Sequence, residues 1–215
     1  MEDTCIVITG LIKREYMEHL KQTYINIKNK IISTWEDQNK DLIKELESMG
    51  FIVILNSYPE HKNSTNYQSK CIKEGCIKAK ELGFKYVGRM RSDICCNDMP
   101  LFIDAISHLY KEKICCLSGI WRPTTGYYIL DVLLFGDVNS LIKLVFNEQK
   151  KEDSRFVEKY WLESYIGKTD LDIADIKEHF NFCLIHARNK NITMFWRNHN
   201  VELIRNYCNG DFILL

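Results

Sequence analysis

Neither sign of charge dominates this chain of 215 residues, in which Lys plus Arg and Asp plus Glu number 29 each. With no global field to gather polyanions, the balance argues against a nucleic-acid or anionic-lipid coat as partner. No apolar run reaches the ~18 residues of a membrane span. The opening stretch MEDTCIVITGLIKREY places acidic residues before an apolar run that is too short for a signal segment. The expectation is a cytoplasmic protein without membrane insertion. Glycine-rich phosphate loops are also missing. Neither Gly-x4-Gly-Lys-Ser/Thr nor Gly-x-Gly-x-x-Gly occurs, which removes the main support for a kinase or a dinucleotide dehydrogenase. There is no Gly-x-Ser-x-Gly elbow for a serine hydrolase, and the six histidines show no His-x3-His spacing for a zinc hydrolase.

Cysteine is present but wrongly arranged for a framework. Nine is an odd count, and the adjacent pairs Cys95-Cys96 and Cys115-Cys116 suit neither a disulfide scaffold nor a zinc knuckle. Most lie in apolar, strand-like runs, so buried reduced thiols in a reducing compartment are expected. The Asn-x-Thr sequons at Asn63 and Asn191 are then chance matches.

The rest of the composition is that of a folded domain, 46% hydrophobic and 27% charged. The length suits a single α/β domain with one core. Runs of β-formers at 5–9, 31–35, 51–56 and 86–91 alternate with amphipathic stretches at 15–28, 40–49 and 67–82. Gly50 and Gly83 are the expected helix stops. The loop at 57–66 is rich in Ser, Asn and Pro. This alternation predicts a mostly parallel sheet with helices on both faces, and ligands in such sheets lie outside the carboxyl ends of the strands. The second half is less regular, with helices expected at 100–110, 139–146, 152–166 and over the amphipathic stretch 172–180. Strands are expected at 114–119, 127–135, 183–187 and 192–196. The two halves are expected to share one sheet.

The most informative segment is the fourth β-run, which ends in Arg89-Met90-Arg91-Ser92-Asp93. A sugar nucleotide carries a diphosphate whose charge must be neutralised as the bond to the anomeric carbon breaks, and a divalent cation can bridge both phosphates. Mg²⁺ or Mn²⁺ needs few protein carboxylates, so one Asp at a strand end suffices. Arg89 and Arg91 alternate with Met90, point to one side of the strand, and suit bidentate contact with carboxylate or phosphate. The same residues also suit a blander role, with Asp93 capping a turn and the arginines in surface ion pairs.

Several segments in order resemble the WavE lipopolysaccharide-synthesis type of glycosyltransferase: Ser33-Thr34-Trp35, Asn66-x-Gln68, Gly75-Cys76-Ile77-Lys78-Ala79 and Arg89 to Asp93. The likeness continues through Asp131-Val132-Leu133-Leu134-Phe135-Gly136, Leu162-Glu163-Ser164-Tyr165-Ile166 and Asn181-Phe182. In size and layout the chain is also similar to small glycosyltransferases of large DNA viruses. The resemblance implies the GT-A fold over residues 1–215, with 1–95 binding a nucleotide sugar, by default a UDP-sugar, and 96–215 binding a glycan or glycoprotein acceptor. It further implies a divalent metal, Mn²⁺ or Mg²⁺, on Asp93. The usual Asp-x-Asp metal motif is here Arg91-Ser92-Asp93, so its first carboxylate is missing.

Carried over by position, the resemblance places Gly10, Leu11, Arg14, Ser33, Trp35, Gln68, Arg89 and Arg91 at the donor. Trp35 suits the core equally, and Gln68 suits a plain helix start. For transfer with inversion, a carboxylate must take the acceptor proton. Glu163 is the first candidate and Asp131 the second, while Glu163 also reads as a solvated helix residue. Two other readings stay open: a sugar nucleotidyltransferase, for which the turn after the first strand is poor in glycine, and a non-catalytic nucleotide- or carbohydrate-binding module.

Overall fold

A computed structural model describes residues 2–122, 126–145, 157–196 and 201–202, with backbone alone at 120–122, 126–128, 185, 188, 196 and 201–202. The first half follows the predicted alternation closely. Strands β1 (Thr4–Thr9), β2 (Lys30–Trp35), β3 (Ile52–Asn56) and β4 (Tyr86–Arg91) are joined by helices α1 (Met17–Tyr24), α2 (Lys40–Ser48) and α3 (Ser64–Glu81). Helix starts fall where a side-chain oxygen can satisfy the first free amides. Asn39 accepts from Asp41 N and Leu42 N to open α2, and Asn63 accepts from Asn66 N to open α3 within the expected loop. Gly50 and Gly83 follow α2 and α3 with φ of +81° and +87°, as expected of helix stops.

The second half adds β5 (Ile94–Cys96), α4 (Met99–Glu112), β6 (Ile114–Cys116), β7 (Gly119–Arg122), β8 (Gly126–Ile129), β9 (Leu133–Asp137) and α5 (Val138–Leu144). Beyond these come α6 (Val157–Ile166), α7 (Ile173–His179), β10 (Phe180–Phe182), α8 (Leu184–Asn189), β11 (Met194–Trp196) and β12 (Val201–Glu202). Three expectations fail here, the first being the run 114–119, which breaks at Leu117 and Ser118 so that β6 joins the main sheet and β7 does not. The run 127–135 is two strands, because a turn at Asp131 breaks it and lets β9 enter the main sheet while β8 pairs with β7. The run 183–187 is helical: Ala187 N donates to Cys183 O, and Cys183, Leu184 and Ala187 are buried on one face. A run of that length carries too little periodicity to separate buried helix from strand. The expected helical residues 146 and 152–156 lie outside the described residues.

Seven strands form the main sheet in the order β10-β6-β9-β4-β1-β2-β3. Pairing is parallel from β4 through β3 and antiparallel on both sides of β9. Both halves of the chain therefore contribute to one sheet, as expected. One face is covered by α1, α2 and α4 through Leu20, Tyr24, Leu46 and Phe102; the other is covered by α3, α5 and α6 through Ile72, Cys76, Leu141 and Trp161. All eight cysteines among the described residues are free thiols, and all but Cys95 are buried. No helix among the described residues is long and apolar enough to cross a membrane.

The chain passes from β1 to β2 and β3 on one side of the sheet and to β4 on the other, so a crevice opens at the carboxyl ends of β1 and β4. Its depth depends on how closely α3 lies on the sheet. A Cβ added at Gly75 would meet Val7 Cγ1 at 2.3 Å, so only glycine permits this approach. Gly75→Ala is expected to destabilise the protein by about 1–3 kcal/mol through overpacking. Urea melts should show Gly75→Ala with Val7→Ala costing less than the sum of the single changes, and strict additivity would dissociate the cost from this contact.

Candidate functional site

Ser92 closes the crevice at its root. Its amide donates to Thr9 O at 3.0 Å, its hydroxyl to Leu11 O at 2.8 Å, and its carbonyl lies 2.9 Å from Nε2 of His19 on α1. The chain must turn sharply after β1 to meet it. Gly10 supplies a φ of +116°, a conformation that L side chains rarely adopt. The resulting cleft, of about 330 Å³, is lined by Thr9, Gly10, Leu11, Lys13 and Tyr16 from the turn and by Trp35 from β2. Tyr67, Gln68 and Cys71 come from α3, and Arg89, Arg91, Ser92 and Asp93 from β4 and its end. A second cavity, of about 360 Å³, opens around Thr4, Ile6 and Asn29 at the amino ends of β1 and β2. It faces away from the strand ends and gathers no comparable set of charges.

The cleft has an aromatic wall. Trp35 stacks on Tyr58 with centroids 4.8 Å apart and planes 11° from parallel, and Tyr67 meets both rings edge-on. The Tyr58 hydroxyl donates to the Asp37 carboxylate at 2.8 Å, which holds the stack. Asn56 braces the strand ends beneath it by donating to Ser33 Oγ at 2.9 Å and to Thr34 O at 2.7 Å. Such a wall offers flat apolar area with few rotatable bonds.

The opposite wall is charged. Arg89, only 2% exposed, donates from Nε to Thr9 Oγ1 at 2.9 Å and from Nη1 to the backbone oxygen of Asp131. Burial lowers its basicity, and Asp131 pulls it back up. Arg91 forks onto Asp93, Nε to Oδ1 at 3.0 Å and Nη2 to Oδ2 at 2.9 Å. Burial alone would lower Arg91, but the hydrogen bond to Asp93 and the nearby Asp131 charge leave it raised. Asp131 Oδ2 lies 3.7 Å from Nη1 of both arginines and has no hydrogen-bond partner among the described residues.

Glu158, in the first turn of α6, meets Asp131 from the other side. Burial, and after it the Asp131 charge, push the Glu158 carboxyl up to about 7. Burial beside the Asp131 carboxylate thus holds a proton on Glu158 well above the ordinary carboxyl range.

The structure thus brings together Gly10, Leu11, Trp35, Gln68, Arg89, Arg91 and Asp93 around the cleft, with Asp131 behind its charged wall. It does not bring Arg14, Ser33 or Glu163 there. Arg14 turns outward to Glu45, Ser33 is fully buried as the acceptor for Asn56, and Glu163 pairs with Lys159 at 3.5 Å. Glu163 lies roughly 140° around the helix from Glu158. Sequence reasoning missed Glu158, although a signal existed: Glu158, Trp161, Leu162 and Tyr165 recur at helical spacing on the packed face, where a carboxylate is out of place. It also missed Lys13, Tyr16, Tyr67 and Cys71, which flank residues it singled out.

No family model matches the sequence, and no curated protein matches it. Among solved structures, the chain is similar to a provisionally named glucose-1-phosphate thymidylyltransferase from Bacillus anthracis in complex with a sucrose. The TM-score is 0.50 at 10% identity, over 83% of this chain and 86% of that one. It is also similar to 4-diphosphocytidyl-2C-methyl-D-erythritol synthase from Anaerococcus prevotii DSM 20548, with a TM-score of 0.47 at 14% identity, over 80% and 90% of the chains. A third similar structure is a provisionally named nucleotide-diphospho-sugar transferase from Desulfovibrio desulfuricans G20, with a TM-score of 0.43 at 13% identity, over 69% and 70%. The chain therefore has a mixed α/β fold of the nucleotidyltransferase and GT-A kind. At these identities the likeness speaks for the fold and not for the substrate.

The raised Glu158 carboxyl makes stability depend on pH. Between 4.5, the ordinary value, and about 7, the native state keeps the Glu158 proton that the unfolded chain has released. Raising the pH through this window therefore weakens folding. Denaturation midpoints of the wild type should fall relative to Glu158→Gln between roughly pH 5 and pH 8. A constant difference across that range would show that the carboxyl titrates normally.

Proposed function

We propose that the protein is a glycosyltransferase that takes a sugar from a nucleoside-diphosphate donor, with a UDP-sugar as default, to a glycan or glycoprotein acceptor. The observation that carries this reading is the pairing of walls in one cleft at the topological switch: stacked aromatics for a base opposite guanidinium and ammonium groups for a diphosphate. The fold supports it, as do the ordered resemblance to WavE-type glycosyltransferases and the likeness in size and layout to viral ones.

The same fold serves nucleotidyltransferases, and one feature favours glycosyl transfer. A loop that cradles a triphosphate offers backbone amides to it. Here Gly10 N donates to Ser33 O at 3.3 Å and Ile12 N to Gln38 Oε1 at 2.7 Å, so the turn spends amides inward. The buried Ile12 side chain fixes it there.

For the acceptor proton, Glu158 is preferred to Glu163, since it lies beside Asp131 behind the charged wall and its carboxyl is pushed up to about 7. Glu163 faces away from that wall and is held by Lys159.

Incubation with a panel of UDP-sugars should release UDP and glycosylate a glycan acceptor. Formation of pyrophosphate from a nucleoside triphosphate and a sugar 1-phosphate would instead establish the nucleotidyltransferase reading. Glu158→Gln should slow transfer by about 10²-fold, with Glu163→Gln near wild type; the reverse order would return the role to Glu163. Trp35→Leu should weaken UDP binding by about tenfold, within the ~1–3 kcal/mol of a base stacked on an aromatic ring. An unchanged dissociation constant by calorimetry would move the base elsewhere.

A further inference from the structure

The expected divalent ion can be tested against the donor set that the fold assembles. Mg²⁺ and Mn²⁺ are held through carboxylate oxygens that are free to face the ion. Asp93 has both oxygens in the Arg91 fork at 2.9 and 3.0 Å, with its side chain 4% exposed. Asp131, the other nearby carboxylate, has Oδ2 at 3.7 Å from two guanidinium nitrogens. A dication entering between these carboxylates would sit against Arg91 and Arg89. Arg89 and Arg91 already offset Asp93 and Asp131, and the third carboxyl, Glu158, is held protonated up to about 7, so little uncompensated negative charge remains to attract it. The described residues contain no group of three or more His, Cys, Asp or Glu side chains that could hold a metal ion. The residues present do not fit the ion.

What occupies its place is a cation of the chain itself. Arg91 stands where the usual motif has its first carboxylate, and it lines the cleft with 26% of its side chain exposed. Two of its nitrogens, Nε and Nη2, are hydrogen-bonded to Asp93, and Nη1 lies 3.7 Å from Asp131 Oδ2. A guanidinium fixed in this way has already lost the rotamer freedom that binding would otherwise cost. Lys13 lines the same cleft from the turn after β1, with 46% of its side chain exposed.

We propose that this protein binds its nucleoside diphosphate without a divalent cation, the Arg91 guanidinium acting with Lys13 as the fixed positive charge at the diphosphate. Asp93 is then a positioning residue for Arg91 and not a metal ligand. The inference rests on reading the cleft as a nucleotide site, and the test separates the two.

Calorimetric titration of UDP into the full chain should give dissociation constants within about threefold of each other in EDTA and in millimolar Mn²⁺, and Mn²⁺ alone should give no saturable heat. Binding in Mn²⁺ but not in EDTA would overturn the inference and leave the nucleotide site standing. No binding in either condition, across uridine, guanosine, cytidine, adenosine and thymidine diphosphates, would overturn the site itself and the inference with it. In EDTA, Arg91→Gln should lose at least about tenfold in affinity and Arg91→Lys less. If Arg91→Gln fails to fold because Asp93 is left buried and unpaired, the exposed Lys13→Gln decides: about threefold weaker or worse supports the assignment, and unchanged affinity overturns it.

Discussion

A buried guanidinium needs partners, because removing an ion from water costs several kcal/mol that only close opposite charge and hydrogen bonds offset. Arg89 imposes that requirement on the middle of this sheet. It points to the α3 side of β4, beside Val87 and away from Met90, and it is among the largest fully buried side chains. Its demands are met by Thr9 at the end of β1 and by Asp131 in the turn before β9. Three segments distant in sequence are thereby fixed at one end of the sheet. Arg91, two residues further along the same face, inherits Asp131 as a second partner and takes Asp93 as its first.

The cluster also explains why the cleft has the shape it has. The β1 turn is held from below by Ser92 and from the side by Gln38, so its backbone is committed before any ligand arrives. The aromatic wall is similarly braced by Asp37 and Asn56. Recognition groups are thus mounted on strand ends and short, pinned turns, an arrangement that limits the ordering cost of binding. The charged wall is close to neutral as a unit, which makes it tolerant of burial and directs its remaining field through the exposed edge of Arg91 and through Lys13.

Legibility in the sequence followed the range of the interactions. The four parallel strands were readable because each is a short β-rich run set off by amphipathic stretches, two of which end at glycine stops, all local signals. Position on the sheet was readable too, since strand ends carry ligands in doubly wound folds, and that rule singled out Gly10, Trp35, Arg91 and Asp93. What was not readable depended on contacts across the chain. Asp131 and Glu158 meet only because β9 is inserted antiparallel between β4 and β6. The fork that engages Asp93 follows from both side chains turning back toward each other across Ser92, which alternation alone does not reveal. Segment 183–187 was misread because a run this short looks alike as strand or helix once buried.

Trp161 on α6 donates its indole N–H to Ser69 on α3 at 2.9 Å. One turn of α6 before it stands Glu158, and next to Ser69 stands Gln68, whose buried Oε1 has no partner among the described residues. The helices α3 and α6 are therefore tied by a polar bond inside an apolar layer. A shift of α6 would be felt by α3, whose Tyr67, Gln68 and Cys71 line the cleft.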